Sequence, residues 1–261
     1  RNIQPKRYWI RLHLLLIEYK VSNIIYVSTQ ISLDQKLCEI LKRDENLPIS
    51  PDLMQDYYDI NNAISKIFKN NDMYGMTIYI NDNIYYSNES KAEGKNYSFS
   101  GLENIKREPW YKKLQNFDSK LLWIPSSQTG QTSSSDIKFV SAVRFIKYYV
   151  NNSYLENIGV VKIDLLKSDL NEIVKKANTT KNGVSFIQDS EGTIFSASDE
   201  SLVDRYKMDK EYAFKLADSN INWDTKNLGG EKVLIGSQRI GETDWVLVSI
   251  LPYSELLTSS K

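Results

Sequence analysis

The chain has 261 residues, of which 41% are hydrophobic and 25% are charged, an ordinary composition for a soluble globular protein with a core of its own. Thirty-three basic residues balance 33 acidic ones, so no net charge draws the chain to nucleic acid, and we expect no nucleic-acid partner. A single cysteine, Cys38, excludes an intrachain disulfide, and its apolar helical surroundings favour a buried thiol over a reactive one.

The beginning of the chain lacks the run of about 20 apolar residues that a membrane span requires. Its longest apolar run is the LLLI at 14–17, and no secretory signal pattern is visible. We therefore expect any membrane spans of the natural protein to lie outside this sequence. The first 20 residues show no clear pattern, and we base no expectation of the fold on them.

Helical periodicity runs from 17 to 42, with apolar residues at 17, 21 and 24 and again at 33, 37 and 40. Prolines at 48 and 51 end this helix, and the second proline can start a shorter helix that reaches about residue 70. We expect an N-terminal helical segment over 1–70. Ile25 and Leu41 are expected to be exposed and to contact a partner helix in a homodimer of the full-length protein.

A first set of strands follows. MYGMTIYI at 73–80 and IYYS at 84–87, around the turn 81–83, predict a hairpin. EPWYKKL predicts a short helix with Pro109 in its first turn, and LLWIPSS predicts a strand. IKFVSAVRFIKYY and IGVVKIDL predict two strands joined by a turn at 151–157.

The pattern then repeats. An amphipathic helix is predicted at 165–178, with Leu166, Leu170, Ile173 and Val174 on its apolar side. After Asn182-Gly183, a hairpin (VSFIQ, TIFSAS), a helix (KEYAFKLAD) and a closing pair (KVLIGSQRI, DWVLVSIL) follow, with Trp223 and Trp245 expected in the core. Hairpin, helix and antiparallel strands in the same order twice indicate an α+β protein with two units, 71–180 and 181–261, and a boundary near 178–184.

With EPWYKKL, LLWIPSS, IGVVKIDL and VSFIQDSEGTIFSAS behind a long helix, the sequence resembles the double Cache sensor domain over about residues 20–258. Such domains are the extracellular parts of many bacterial histidine kinases and chemoreceptors. The version here looks most like sensor kinases that Gram-positive bacteria keep beside carbohydrate-uptake genes. The resemblance implies a long N-terminal helix flanking two PAS-like antiparallel-sheet units in tandem, 71–180 distal and 181–261 proximal to the membrane, on the extracellular face of the cell.

In these domains the distal unit holds the ligand, between the Trp-Tyr helix, the loop after it and the central strands. The resemblance assigns the ligand to six residues: Tyr79, Trp110, Tyr111, Trp123, Arg144 and Asp164. All of them except Tyr79 also have a structural interpretation. The three aromatic residues of the two Trp motifs can be helix anchors or core, Arg144 can sit in an ion pair or on an open sheet face, and Asp164 can cap the next helix.

The amino-acid-sensing branch of the family has an Arg two residues before the Trp for the ligand carboxylate and an Asp late in the last strand for the ammonium. Here Glu108 takes the Arg position, with Arg107 adjacent. Lys162 falls at the Asp position, and Asp164 lies two residues on, on the same strand face. The inverted charges argue against an ordinary α-amino acid, so we expect a sugar, another small metabolite or a solute-loaded binding protein.

Catalytic chemistry finds little support. The sole histidine is His13, so no His-based triad or zinc cluster can be assembled, and neither GxxxxGK[ST] nor GxGxxG occurs. We expect no catalytic residues, no metal site, no cofactor and no enzyme in this chain. The function is expected to be signal input, most simply to a two-component histidine kinase and alternatively to a chemotaxis receptor. A plain interaction or adhesion module without a small ligand is the other class.

Overall fold

A computed structural model of the protein describes residues 3–43, 51–68, 73–81, 97–117, 121–128, 137–206 and 208–258. Contacts divide the chain into two compact units. The N-terminal sheet unit is residues 23–166, and the C-terminal sheet unit combines residues 1–22 with 167–261. The division of the chain into 1–70, 71–180 and 181–261 stays a prediction.

The first three helices are α1 (Ile3–Leu33), α2 (Gln35–Arg43) and α3 (Pro51–Phe68). The expected single helix over 17–42 is wrong at one residue, because Asp34 separates α1 from α2. Its carboxylate accepts a hydrogen bond from the Leu37 amide at 2.7 Å, which caps the start of α2. Ile10 and Leu14 are buried in α1, although the opening residues carried no expectation of the fold.

The buried stripe of these helices is close to the expected one, with Ile17, Val21, Ile24, Leu37 and Ile40 all buried. Leu33 is exposed instead. The expectation of an exposed Leu41 is wrong, since α2 packs against both α3 and the strand pair β4–β5, and this covers more than one side of it. Ile25 is half-buried.

The sheet of the N-terminal unit has the order β2-β1-β5-β4-β3. Its strands are β1 (Gly75–Ile80), β2 (Tyr97–Gly101), β3 (Leu122–Ile124), β4 (Phe139–Val150) and β5 (Ser153–Leu166). β1 pairs antiparallel with β5 and parallel with β2, while the hairpin partner expected at 84–87 lies outside the described residues. The helix α4 (Pro109–Gln115) begins at its proline, as predicted.

The turn between β4 and β5 is shorter than the predicted 151–157. It consists of Asn151 and Asn152, whose φ angles are 50° and 62°. Two consecutive positive φ values make a two-residue turn of type I′, a conformation that asparagine tolerates better than most residues. The strands therefore extend to the turn itself, with Val150 paired to Ser153.

The C-terminal unit has a second sheet in the order β7-β6-β10-β9-β8, with the central strands arranged as in the first. Its elements are α5 (Lys167–Ala177), β6 (Val184–Gln188), β7 (Ile194–Ala197), α6 (Glu200–Tyr206), α7 (Lys210–Leu216), β8 (Asn222–Leu228), β9 (Glu231–Arg239), β10 (Val246–Pro252) and α8 (Tyr253–Thr258). Trp245 is fully buried, as expected, whereas Trp223 is half-buried over Gly236 of β9. The α+β class, with a long N-terminal helix and two mainly antiparallel sheets, is confirmed.

Candidate functional site

The sheet of the N-terminal unit has one face that packs against α4, here called the α4 face. Successive residues of a strand point to opposite sides, so the pairing register decides which side chains share this face. Lys162 lies opposite Thr77 and Val143, and Asp164 lies opposite Ser141. The register therefore places a lysine, an aspartate and two hydroxyl side chains next to one another beneath α4.

The helix α4 covers this face with Trp110, Tyr111 and Leu114, which are all buried. They form one apolar cluster with Val143 and Val160. The rings are in contact distance of their neighbours: Trp110 lies 6.4 Å from Tyr79 and Tyr111 lies 6.2 Å from Phe145, measured between ring centroids. The Trp-Tyr pair thus anchors the helix, and its role in a ligand wall stays a prediction.

An ion pair lies inside the α4 face. The Lys162 ammonium is 2.5 Å from Asp164 Oδ1, and both residues are buried. The Ser141 hydroxyl donates to the same carboxylate oxygen. The alternative in which Asp164 caps the next helix is wrong, because α5 begins at Lys167 and the carboxylate is bound to the sheet face.

Tyr79 joins this group from β1. Burial, with the nearby charges of Asp164 and Glu108, raises the pKa of its phenol to about 12. The neutral phenol therefore persists far above neutral pH and can both donate and accept a hydrogen bond. Glu108, the residue before α4, is half-buried and adds a carboxylate close to this cluster.

The two other predicted ligand residues lie on the opposite face of the sheet. Trp123 pairs with Ala142, which shares its side of β4 with Arg144. The Arg144 guanidinium donates to the Thr29 hydroxyl on α1, and burial lowers its pKa. The structure thus brings together Tyr79, Trp110, Tyr111 and Asp164 and places Trp123 and Arg144 on the side of α1.

The C-terminal unit differs on the corresponding sheet face. Its central strand β10 presents Val246, Val248 and Ile250 to the helices, where β5 presents Val160, Lys162 and Asp164. Tyr206 of α6 closes this cluster and is 1% exposed. The buried polar cluster is therefore a feature of the N-terminal unit.

Sequence reasoning missed two features. Ser141 gives no signal of its own in the sequence, because its place beside Asp164 depends on the register of β4 and β5. The second is a half-open groove of about 580 Å³, here called the hairpin groove, between the start of α2 and the end of the β4–β5 hairpin. None of the six predicted ligand residues lines it.

In the described part of the chain, no group of three His, Cys, Asp or Glu side chains is arranged to bind a metal ion. Within the same residues, no helix has both the length and the apolar character needed to cross a membrane. The groups of the α4 face are arranged for hydrogen bonding and apolar contact: its buried cation and carboxylate neutralise each other, and the aromatic residues of the apolar cluster lie on the same face of the sheet.

Comparison by sequence found no matching family model and no matching curated protein. Comparison by structure found sensory domains. The periplasmic sensory domain of the Campylobacter jejuni chemoreceptor Tlp1 matches with a TM-score of 0.68 at 13% identity, over 100% of both chains. The extracellular domain of the histidine kinase mmHK1S-Z3 matches with a TM-score of 0.54 at 16% identity, over 93% of this chain and 97% of that one.

A third similar structure is the ligand-binding domain of the Pseudomonas aeruginosa amino acid chemoreceptor PctB in complex with L-Gln. It has a TM-score of 0.54 and 14% identity, over 96% of this chain and 91% of that one. The chain therefore shares its fold with bacterial sensory domains, and the resemblance to a double Cache sensor domain is confirmed at the level of the fold.

Proposed function

We propose that the chain is the extracellular ligand-sensing domain of a bacterial transmembrane receptor and has no catalytic centre of its own. The fold that it shares with chemoreceptor and kinase sensory domains supports this assignment. The observation that carries it is the polar cluster beneath α4, because burying a lysine and an aspartate and partly burying a tyrosine costs free energy that an apolar face would not.

The proposed ligand is a small polar metabolite held at the α4 face of the N-terminal unit. The proposed contacts are Tyr79, Trp110, Tyr111 and Asp164, in the cluster beneath α4. Trp123 and Arg144, which were also predicted from the sequence, lie on the other face of the sheet and do not belong to this proposed site. The Lys162–Asp164 pair offers a cation and an anion together, which suits a neutral ligand with several hydroxyl groups better than a free charge. A sugar, another small metabolite or a solute-loaded binding protein is therefore proposed.

The proposed output is a two-component histidine kinase, as the sequence resemblance implies. A chemotaxis receptor is the second candidate, because the Tlp1 sensory domain matches over the whole of both chains. The two outputs differ in a direct assay. Ligand added to the full-length receptor in membranes changes the rate of autophosphorylation on histidine in a kinase, whereas in a chemoreceptor it changes the activity of a separate kinase.

The proposed receptor is a homodimer at the cell membrane, with α1 as a contact between subunits. α1 exposes apolar residues that follow steps of three or four residues up to Tyr19 and steps of seven after it: Tyr8, Leu12, Leu15, Tyr19, Tyr26 and Leu33. This spacing is the heptad pattern of helices that pair with each other. Exposed apolar surface of this extent is unusual on a monomer and favours a partner helix.

Thermal-shift screening against sugars, amino acids and organic acids tests the ligand-sensing proposal, because a compound that binds the folded state alone raises the unfolding midpoint. We expect at least one compound to raise the midpoint of the wild-type domain. The shift is expected to shrink in Tyr79→Phe and to remain in Tyr212→Phe, the same chemical change in the C-terminal unit. A screen in which no compound raises the midpoint would favour the interaction-module class instead.

A further inference from the structure

The hairpin groove lies within the N-terminal unit, away from the α4 face, and the proposed function does not use it. Its volume of about 580 Å³ falls in the range of about 300–1,000 Å³ that is typical of small-molecule sites. One wall is the start of α2 and the other is the end of the β4–β5 hairpin. Both walls are held in place by local contacts.

The α2 wall is fixed by Asp34, which caps the helix, and by a side-chain hydrogen bond from Gln35 Nε2 to Glu39 Oε1 at 2.8 Å. Cys38 forms the floor and donates its thiol to the Lys147 carbonyl at 3.3 Å, which ties α2 to β4. Burial, with the nearby charges of Asp34 and Glu39, raises the pKa of this thiol to about 11. The floor is therefore neutral and unreactive.

The hairpin wall presents tyrosine rings and amides. Tyr149 packs edge-on against Tyr154 with 6.0 Å between ring centroids, and the Lys147 ammonium lies 5.4 Å from the Tyr154 ring. Asn151 and Asn152 occupy a two-residue turn whose backbone is closely defined. The backbone of this turn is set before any ligand arrives, which reduces the entropy lost on binding.

The lining groups define the ligand chemistry. One carboxylate, Glu39, and one ammonium, Lys147, leave the groove without net charge. Three amides, Gln35, Asn151 and Asn152, each provide both donors and an acceptor. A ligand matched to these groups carries many hydroxyls, has no charge and has an apolar ring face to lie on tyrosine. We propose that the hairpin groove is a binding site for a neutral carbohydrate of one or two hexose rings.

The test uses saturation-transfer NMR and calorimetry on the intact domain, with D-glucose, D-galactose, D-mannose, maltose, cellobiose and lactose as probes. At least one probe is expected to bind with a Kd in the millimolar range or below. Tyr149→Ala is expected to weaken this binding about tenfold, equivalent to about 1.4 kcal/mol. Asn152→Gly removes one amide but keeps a residue that accepts positive φ, so it weakens binding several-fold in a folded domain.

Tyr79→Phe serves as the control, because it alters the α4 face and leaves the groove untouched; sugar affinity is expected to stay at the wild-type value. Three results would overturn the proposal: no probe binds, binding is unchanged in both Tyr149→Ala and Asn152→Gly, or Tyr79→Phe abolishes it. The last result would assign the sugar to the α4 face. If no probe binds, the proposal for the hairpin groove fails, while the proposed sensing function is still tested separately by the thermal-shift screen.

Discussion

Lys162 and Asp164 form an ion pair that is shielded from water, and removing one partner leaves a buried charge uncompensated. We expect Asp164→Ala to lower the free energy of unfolding by about 3–5 kcal/mol, measured by urea denaturation followed by circular dichroism. Replacing both residues with apolar ones, Lys162→Met with Asp164→Leu, is expected to restore much of this loss.

The matched control for that experiment is Lys215→Ala, which breaks the exposed pair between Lys215 and Glu211. Exposed pairs of this kind contribute little, so the urea midpoint is expected to remain at the wild-type value. Equal losses in Asp164→Ala and Lys215→Ala would show that the buried pair has no special energetic role.

The raised pKa of Tyr79 predicts that the protein becomes less stable at high pH. The folded-state pKa of this residue is about 12 against an ordinary value of 10.0, so the stability that depends on the neutral phenol is complete below pH 10 and is lost as the pH rises toward 12. Between pH 10 and pH 12, the free energy of unfolding of the wild type should therefore fall by about 2 kcal/mol more than that of Tyr79→Phe. Chemical denaturation of both proteins at a series of pH values measures the difference, and superimposable pH profiles would refute the assignment.

The residue-level site could be predicted from the sequence only in part. Tyr79, Trp110, Tyr111 and Asp164 lie on one face of the sheet, because the Trp-Tyr helix packs on the central strands, and their contact with a ligand stays a prediction. Arg144 and Trp123 do not join them. Strand alternation separates Arg144 from Val143 and Phe145, but the sequence does not state which of the two sheet faces α4 covers.

At the scale of elements, the exposed apolar face of α1 predicts a contact between subunits. In full-length receptor in membranes, a single cysteine at Leu15 or Tyr19, in a Cys38→Ser background, is expected to crosslink two subunits. Lys20, about 100° around the helix from Tyr19 and half-buried, lies off the stripe of 15 and 19, and Lys20→Cys is the matched control, with little crosslinking expected. Equal crosslinking at 15, 19 and 20 would contradict a defined helix contact.

The β4–β5 turn allows a second element-scale prediction. Asn152 has a φ of 62°, which a residue with a β-carbon adopts at a cost of about 1–2 kcal/mol unless it is asparagine or aspartate. Asn152→Ala is expected to lower the free energy of unfolding by about 1 kcal/mol, whereas Asn152→Gly preserves it. The difference in urea midpoints measures this effect, and an Ala variant as stable as the Gly variant would exclude the type I′ turn.

Elements with strong periodicity were predictable, and those set by local polar groups were not. α3, α4, β4, β6, β9 and β10 appear where the sequence predicts them. The break at Asp34 was not foreseen because an aspartate between two apolar stretches also fits a continuous helix. β8 was not predicted, because its mostly exposed, polar residues show no alternating pattern. Its conformation is set by its pairing with β9.

At the scale of the whole molecule, the two sheets share one strand order but differ in what they bury. The C-terminal unit closes its face with Val246, Val248, Ile250 and Tyr206, while the N-terminal unit buries Lys162 and Asp164 at the same place. An apolar face stabilises a scaffold, and a polar one retains groups that can exchange their hydrogen bonds with a ligand. The repeated order of elements in the sequence predicted the two units, but this chemical difference required the register.

Hydrogen exchange on the domain, with and without the compound that raises its unfolding midpoint, tests the site of ligand binding most directly. Bound ligand slows local opening, so exchange is expected to slow in α4 and in β5 near Lys162 and Asp164, with little change across β6, β9 and β10. Protection confined to β6, β9 and β10, or no protection in α4 and β5, would contradict a sensory site on the α4 face.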